Sequence, residues 1–214
     1  MKKLLLLGLA LVLTATLAGC GGGNDNPPTV VVGIFSSPTV DGDISFDGVN
    51  FTPATASGAG AGTVLAGIST VGQPEYRGFL TFPLDGSTGQ SAIPVTAIIV
   101  SATLEVTINE VILPPLPFDR VPMFLDLVSF AVPPGLTGAA EYNQAPITFR
   151  TVDFFPTDVG TTVVIDVTPL MRAAQARALL DFQVRFVLDT TLLQGQIGIS
   201  DPTTTTPHIT VEFF

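Results

Sequence analysis

The chain has 214 residues, 18 of them acidic and 8 basic, and carries a formal net charge of −10 at pH 7. An acidic surface repels phosphate groups, so this composition argues against nucleic-acid binding, polyanionic glycans and attraction to anionic lipid. One cysteine and one histidine are too few for most metal–thiolate sites and catalytic triads. We therefore expect no enzymatic activity, and no cofactor apart from the structural calcium considered below. The abundant Val, Ile, Leu and Phe residues supply a hydrophobic core.

The first twenty residues have the three parts of a secretory signal. Residues 1–3 are basic, residues 4–16 form a Leu-rich apolar run, and residues 17–19 (Leu-Ala-Gly) suit a signal peptidase. The run is shorter than the roughly 20 residues that a membrane-spanning helix needs. Cys20 is the only cysteine, so it has no partner for an internal disulfide. It is either a stray thiol after an ordinary cleaved signal or a site of modification.

Residues 17–20 (Leu-Ala-Gly-Cys) resemble the lipobox of bacterial lipoproteins. The resemblance implies that Cys20 is lipidated, becomes the first residue of the mature chain and anchors it to a membrane through two or more acyl chains. Gly21 follows the cysteine in place of an Asp retention signal, which favours the outer membrane. We therefore expect an exported protein that is lipid-anchored to the bacterial cell envelope.

The chain after the cysteine is predicted to have two parts. Residues 21–28 combine a Gly-rich half with a Pro pair, which is typical of a flexible tether. Residues 29–214 have the size of a single β-sandwich domain. The predicted organisation is thus a signal peptide over 1–20, a tether over 21–28 and one domain over 29–214.

Several segments alternate apolar and polar residues with a period of two, which indicates strands with one buried face and one solvated face. Such half-buried strands belong to antiparallel sheets. The alternating segments are 76–84, 100–109, 181–189 and 208–213.

Further strands are predicted from β-branched or apolar runs, and loops from Gly-rich or Pro-rich runs. Thr168 and Pro169 have the residue types of an N-cap and first turn, which predicts a helix over 170–180. We therefore predict an all-β fold, an antiparallel, jelly-roll-like β-sandwich with one short helix near 169–180. The further strands are 29–35, 64–71, 161–167 and 121–130, the last apolar on both faces and hence central or covered; the loops are 52–63 and 113–117.

Three aspartates near the start of the predicted domain invite a calcium hypothesis. Asp41, Asp43 and Asp47 lie close together in the sequence, and carboxylates are ligands that Ca²⁺ prefers. The segment lacks the spacing and the distal Glu of an EF-hand. The alternative is a strand flanked by two Asp-Gly turns.

A series of short motifs occurs in the order found in one known family. Taken together they resemble the DNRLRE-type domain, which is similar to the jelly-roll carbohydrate-binding modules of exported bacterial proteins. The resemblance implies a sandwich that binds a glycan without catalysis. This chain departs from the family pattern at Tyr142, where Trp is usual, at Gly78 and in an apparent insertion over 110–120. The motifs lie at 76–84, 102–106, 141–146, 165–170, 182–188 and 200–211.

Three side chains are the candidate ligand-binding residues. Tyr142 is predicted to lie in a loop, where its ring could stack on a sugar, whereas Tyr76 falls on the inward register. Arg77 and Phe79 are predicted to point outward from the strand that buries Leu80. For Arg77 the alternative is a cross-strand ion pair.

The function predicted from the sequence is that of a lipid-anchored, non-catalytic envelope protein. Its β-sandwich would bind an extracellular or envelope partner, such as a neutral glycan or an envelope protein. The alternative is a structural or assembly component of the envelope that takes no small ligand. The scarcity of Trp and Tyr and the strongly β-prone ends, 29–35 and 208–214, favour this alternative.

Overall fold

A computed structural model describes residues 28–55, 62–189, 191–202 and 204–214. The predicted signal peptide, Cys20 and nearly all of the predicted tether lie outside these residues. Within the described ranges, no helix is long and apolar enough to cross a membrane.

The described residues form an antiparallel β-structure with two α-helices and one 3₁₀ turn at Pro156–Asp158. The helices are α1 (Ala139–Tyr142) and α2 (Thr168–Ala176). The strands are β1 (Val30–Phe35), β2 (Gly42–Phe46), β3 (Phe51–Thr55), β4 (Thr63–Ile68), β5 (Glu75–Pro83), β6 (Ile99–Ile112), β7 (Val121–Val128), β8 (Thr148–Phe154), β9 (Thr162–Asp166), β10 (Asp181–Leu188), β11 (Gly195–Ser200) and β12 (His208–Phe213).

The strands pair in the order β1-β12-β6-β11-β4-β5-β10-β7-β8. Strand β2 pairs with β5 and β3, and β9 pairs with β6. The 14-residue strand β6 pairs with β12 along its first half and with β11 along its second half. The sheet curls on itself, and the predicted all-β, sandwich-like fold with one short helix is confirmed.

The main core lies inside the curled sheet and is built by the predicted alternation. In β10, Phe182, Val184 and Phe186 are fully buried, as are Leu80 and Phe82 in β5. Side chains from β6, β11, β12 and α2 pack into the same cluster. Burying such side chains stabilises the fold by about 1.5–3 kcal/mol each relative to leaving them in water.

The outer face of β5, β10 and β7 is also buried, which the sequence predicted for β7 but not for β5 and β10. Here Phe79, Tyr142, Ile44 and Val128 form a second hydrophobic cluster. The cluster is closed by α1 and its flanking segment. The prediction of a solvated outer face is therefore wrong for β5 and β10, because another part of the chain packs across it. Strand β7 is central, between β10 and β8, as predicted.

The structure differs from the prediction at several element boundaries. Strands β3, β8 and β11 were not predicted, and β3 occupies part of the predicted loop over 52–63. Helix α2 ends at Ala176, and its N-cap position is Val167 instead of Thr168. The Thr168 hydroxyl donates to Asp166 Oδ1 at 2.6 Å and lies 2.9 Å from the amide of Ala102, which donates to it. Thr168 thus ties the helix to the sheet.

Candidate binding site

The structure brings the three predicted ligand-binding residues together, but as part of the fold. Arg77 lies over the ring of Tyr142, with its guanidinium carbon 3.9 Å from the ring centroid, and donates to the Tyr142 carbonyl at 2.6 Å. Phe79 packs in the same cluster and is fully buried. Arg77 also pairs with Glu75 at 3.2 Å, which is a pair within β5 and not the predicted cross-strand ion pair.

The predicted exposure of Tyr142 is wrong. Its side chain is 2% exposed, and its ring packs against Phe51 and Phe46 at centroid distances of 5.0 and 5.8 Å. Burial raises the pKa of the Tyr142 hydroxyl. Tyr142 lies at the end of α1, whose short turn drives the ring into the sheet. The ring thus has no open face on which a sugar could stack, and Tyr76, predicted to be core, is only partly buried.

The three aspartates of the calcium hypothesis perform separate tasks. Asp41 is fully buried and accepts from the amide of Thr81, whereas Asp43 accepts from the amide of Leu65 at 3.0 Å. Asp47 accepts from the two amides that follow Gly48 and shapes the turn between β2 and β3. Across the described ranges, no group of three or more His, Cys, Asp or Glu side chains is placed to hold a metal ion. The turn interpretation fits Asp47-Gly48, whereas Asp41 is a buried acceptor and Gly42 already belongs to β2.

An open groove lies on the other side of the molecule, on the outer face of the sheet that contains β1, β12, β6 and β9. The strand register places Phe35 opposite His208, His208 opposite Glu105, and Glu105 opposite Val164. These side chains form one row across the four strands. The groove has a volume of about 450 Å³ and is lined by Phe35, Glu105, Thr107, Thr162, Thr204, Thr205, Thr206 and His208.

The contacts in this row fix the orientation of its polar groups. His208 Nε2 lies 3.4 Å from Glu105 Oε1, and the His208 ring lies 5.8 Å from the ring of Phe35. Thr107 and Thr162 join across β6 and β9 through their hydroxyls at 3.2 Å. Phe35 is 51% exposed, so a large part of its ring is available for contact.

The groove offers three kinds of recognition chemistry. Phe35 presents an apolar ring, the threonines present hydroxyls that both donate and accept, and Glu105 presents carboxylate acceptors. Among the lining residues that are described, the ionisable groups are Glu105 and His208. An anionic ligand would therefore meet a carboxylate with a single compensating imidazole.

Comparison with known proteins identifies no relative. No protein-family model and no curated protein matches this chain. The resemblances to bacterial lipoproteins and to the DNRLRE-type domain therefore stay predictions from short motifs.

Sequence reasoning missed the groove residues for a physical reason. Phe35 and His208 lie at opposite ends of the chain, and only the β1–β12 pairing makes them neighbours. A weak signal was present, because Phe35 and His208 both fall on the outward phase of their strands. An aromatic residue at an outward position is the pattern that would have pointed to this face.

Proposed function

We propose that this protein is a lipid-anchored, non-catalytic envelope lipoprotein whose β-sandwich binds a neutral glycan in the groove between Phe35 and Val164. The observation that carries the glycan proposal is the row of an exposed aromatic ring, an imidazole and a carboxylate beside a bank of threonine hydroxyls. The lipid anchor rests on the lipobox resemblance of residues 17–20. The DNRLRE resemblance supports the glycan as ligand.

A neutral sugar suits the groove better than a charged one. Sugar rings have apolar faces that pack on aromatic rings, and their hydroxyls match the donor and acceptor pattern of threonine and carboxylate groups. Uronate or phosphate groups would be repelled by Glu105 and by the acidic chain as a whole. The row crosses four strands spaced about 4.8 Å apart, which suits a short oligosaccharide segment.

The contacts of His208 fit the proposed binding role. The one histidine of the chain is paired with Glu105. Within the described part of the chain, no groove hydroxyl hydrogen-bonds to the imidazole. A nucleophile activated by a base needs such a contact.

Glycan binding is tested with the purified full-length protein on an array of neutral and acidic polysaccharides, followed by calorimetry on the best ligand. Phe35→Ala should weaken binding about tenfold or more, equivalent to roughly 1.4 kcal/mol. The matched control is Phe149→Ala, because Phe149 is 56% exposed on the far edge strand β8. Absence of binding to every neutral polysaccharide, or equal losses in the two variants, would refute the proposal.

Anchoring is tested separately in a bacterial host. The wild-type chain should incorporate an alkyne-labelled fatty acid and sediment with outer-membrane fractions, whereas Cys20→Ser should do neither. A Cys20→Ser variant that still carries the label would refute lipidation at this residue. Sedimentation of the wild type with inner membranes would refute the outer-membrane location alone.

The alternative role in envelope assembly rests on the free edge of β8. The two β-prone ends, 29–35 and 208–214, are already paired, since β12 lies between β1 and β6. Residues 88–90 also cover part of the outer edge of β1 through hydrogen bonds to Gly33 and Phe35. Strand β8 carries Arg150 and Asp153, and charged side chains oppose edge-to-edge pairing. Light scattering at high protein concentration would show a monomer if the glycan-binding role is right and defined oligomers if the assembly role is right.

A further inference from the structure

Two buried carboxyl groups meet where distant segments of the chain converge. Asp41 precedes β2 and is fully buried, and Asp201 follows β11 and is 2% exposed. Burial raises the pKa of Asp41, and the two carboxyl groups are close enough that the charge of Asp201 raises it further. Ser36, directly after β1, places its hydroxyl 3.5 Å from Asp201 Oδ1, and the amide of Thr81 in β5 donates to Asp41 Oδ1 at 2.6 Å.

Three oxygen atoms of this cluster are buried and have no hydrogen-bond partner among the residues that the structure describes. They are Asp41 Oδ2, Asp201 Oδ2 and Thr81 Oγ1. The contact from Ser36 to Asp201, at 3.5 Å, is longer than an ordinary O–H···O bond of roughly 2.5–3.0 Å and satisfies its acceptor weakly. Buried polar atoms in folded proteins nearly always have a partner. Unpartnered oxygens on two buried carboxyl groups, and on the residue whose amide donates to one of them, point to a bound ligand.

The charge of the cluster indicates the kind of ligand. None of the ion pairs between described residues includes Asp41 or Asp201. Two carboxylates buried in one cluster lose their hydration and repel each other. The pair therefore requires a positive charge, either a shared proton or a cation.

A cation accounts for more of the cluster than a proton does. A proton joins only two oxygens, whereas three buried oxygens of these residues have no partner among the described residues. A metal ion binds several oxygens at once. All the available side-chain ligands are carboxylate or hydroxyl oxygens, the set that hard cations prefer.

We infer that Asp41, Asp201, Thr81 and Ser36 form a binding site for a divalent cation, with Ca²⁺ as the best fit. Ca²⁺ accepts irregular sets of oxygen ligands that include backbone carbonyls and water, whereas Mg²⁺ demands near-ideal octahedral geometry. The site shares Asp41 with the sequence-based calcium hypothesis and replaces Asp43 and Asp47 by residues from distant segments.

The bound cation would join parts of the chain that are far apart in sequence. Ser36 and Asp201 are separated by 165 positions, and Asp41 and Thr81 belong to two further segments. Ser36 directly follows Phe35, and Asp201 shortly precedes Thr204. The cation would therefore fix the positions of Phe35 and Thr204, which both line the groove. A ligand that binds only the folded state raises the melting temperature.

The test uses the full-length chain, freed of metal by a chelator and transferred to metal-free buffer near neutral pH. Adding CaCl₂ at about 100 times the Kd should raise the melting temperature by roughly 5–10 °C. Calorimetric titration of the wild type should show about one Ca²⁺ per chain, and MgCl₂ at the same concentration should have a smaller effect.

Two variants separate this site from surface binding. Asp201→Asn should abolish the calcium response, and the matched control Asp47→Asn, which alters an exposed aspartate of the β2–β3 turn, should retain it. If Asp201→Asn fails to fold, the titration of the wild type decides alone. Absence of calcium binding by the wild type, together with a melting temperature that rises as the pH is lowered, would assign a shared proton to the pair and overturn the inference.

Discussion

Replacing Arg185 by methionine should destabilise the fold by about 3–5 kcal/mol, because it would leave the carboxylate of Asp126 buried without a positively charged partner. The Arg185 side chain is 3% exposed and that of Asp126 is 8% exposed. Arg185 Nη2 and Nε donate to Asp126 Oδ2 at 2.6 and 3.1 Å. The other end of the guanidinium donates to the carbonyls of Glu141 and Tyr142 at 3.1 and 2.8 Å. Arg185 thus fastens α1 to the outer face of β10.

The loss of the carbonyl contacts contributes the smaller part of this cost. The Tyr142 carbonyl keeps a donor in Arg77 at 2.6 Å, and the Glu141 carbonyl still accepts from the amide of Gln144. Asp126 keeps no comparable partner and would be buried as an uncompensated charge. The double variant Arg185→Met with Asp126→Leu removes that charge, so it should lie within about 1 kcal/mol of the wild type.

Urea unfolding of the full-length protein, followed by circular dichroism, measures these free energies. Arg120→Met is the matched control, because Arg120 pairs with Asp153 at 3.3 Å with both side chains substantially exposed. It should cost less than about 1 kcal/mol. A single variant as stable as the control, or a double variant less stable than the single one, would refute the buried-charge argument.

Two further predictions concern a buried carboxyl group and a crowded glycine. Burial raises the pKa of Asp43 to about 6 in the folded state, above its unfolded value. Its contribution to the free energy of unfolding is therefore complete below about pH 4 and is lost as the pH rises through about 6. The free energy of unfolding should change by roughly 3 kcal/mol over this range. Urea unfolding at both ends of this range should show a smaller pH dependence for Asp43→Asn than for the wild type, and equal dependence would contradict the prediction. Gly67 has φ +107° and an added Cβ would lie 2.0 Å from the Gly195 carbonyl oxygen, so Gly67→Ala should cost several kcal/mol or prevent folding. Gly33→Ala, where an added Cβ meets nothing within 4 Å, should stay within about 1 kcal/mol of the wild type in thermal melts, and similar effects of both substitutions would argue against the steric explanation.

The strands were predictable where one face meets the core and the side chains alternate. Strand β12 and the middle of β6, residues 101–109, keep this pattern in the structure, with buried and more exposed residues in succession. Strand β11 lacks the signal because it is buried on both faces and contains Gly195 and Gly198. Gly198 lies so close to Thr63 that an added Cβ would be 3.0 Å from the threonine methyl group. Position 198 requires glycine because a larger side chain would not fit beside Thr63, although glycine has a low propensity for strands.

The candidate site was harder to predict because exposure depends on contacts between distant segments. The outward phase of Phe79 in β5 follows from the alternation, but the sequence does not say that α1 packs over that face. Phe35 also points outward from its strand, but there the face remains open. Two aromatic residues on outer faces therefore have opposite exposure. The difference in exposure depends on whether a distant segment packs over that face, as α1 does over Phe79.

The position of the groove along β1 fits the proposed anchor. If Cys20 holds the chain to a membrane, the tether reaches the domain at Val30, the first residue of β1. Phe35 is the last residue of that strand, and five steps of about 3.3 Å place it roughly 17 Å farther along the strand. The anchored end of β1 is thus opposite the end that carries the aromatic ring of the groove. If the proposed anchor and the proposed glycan site are both right, the groove lies at the end of β1 away from the tether.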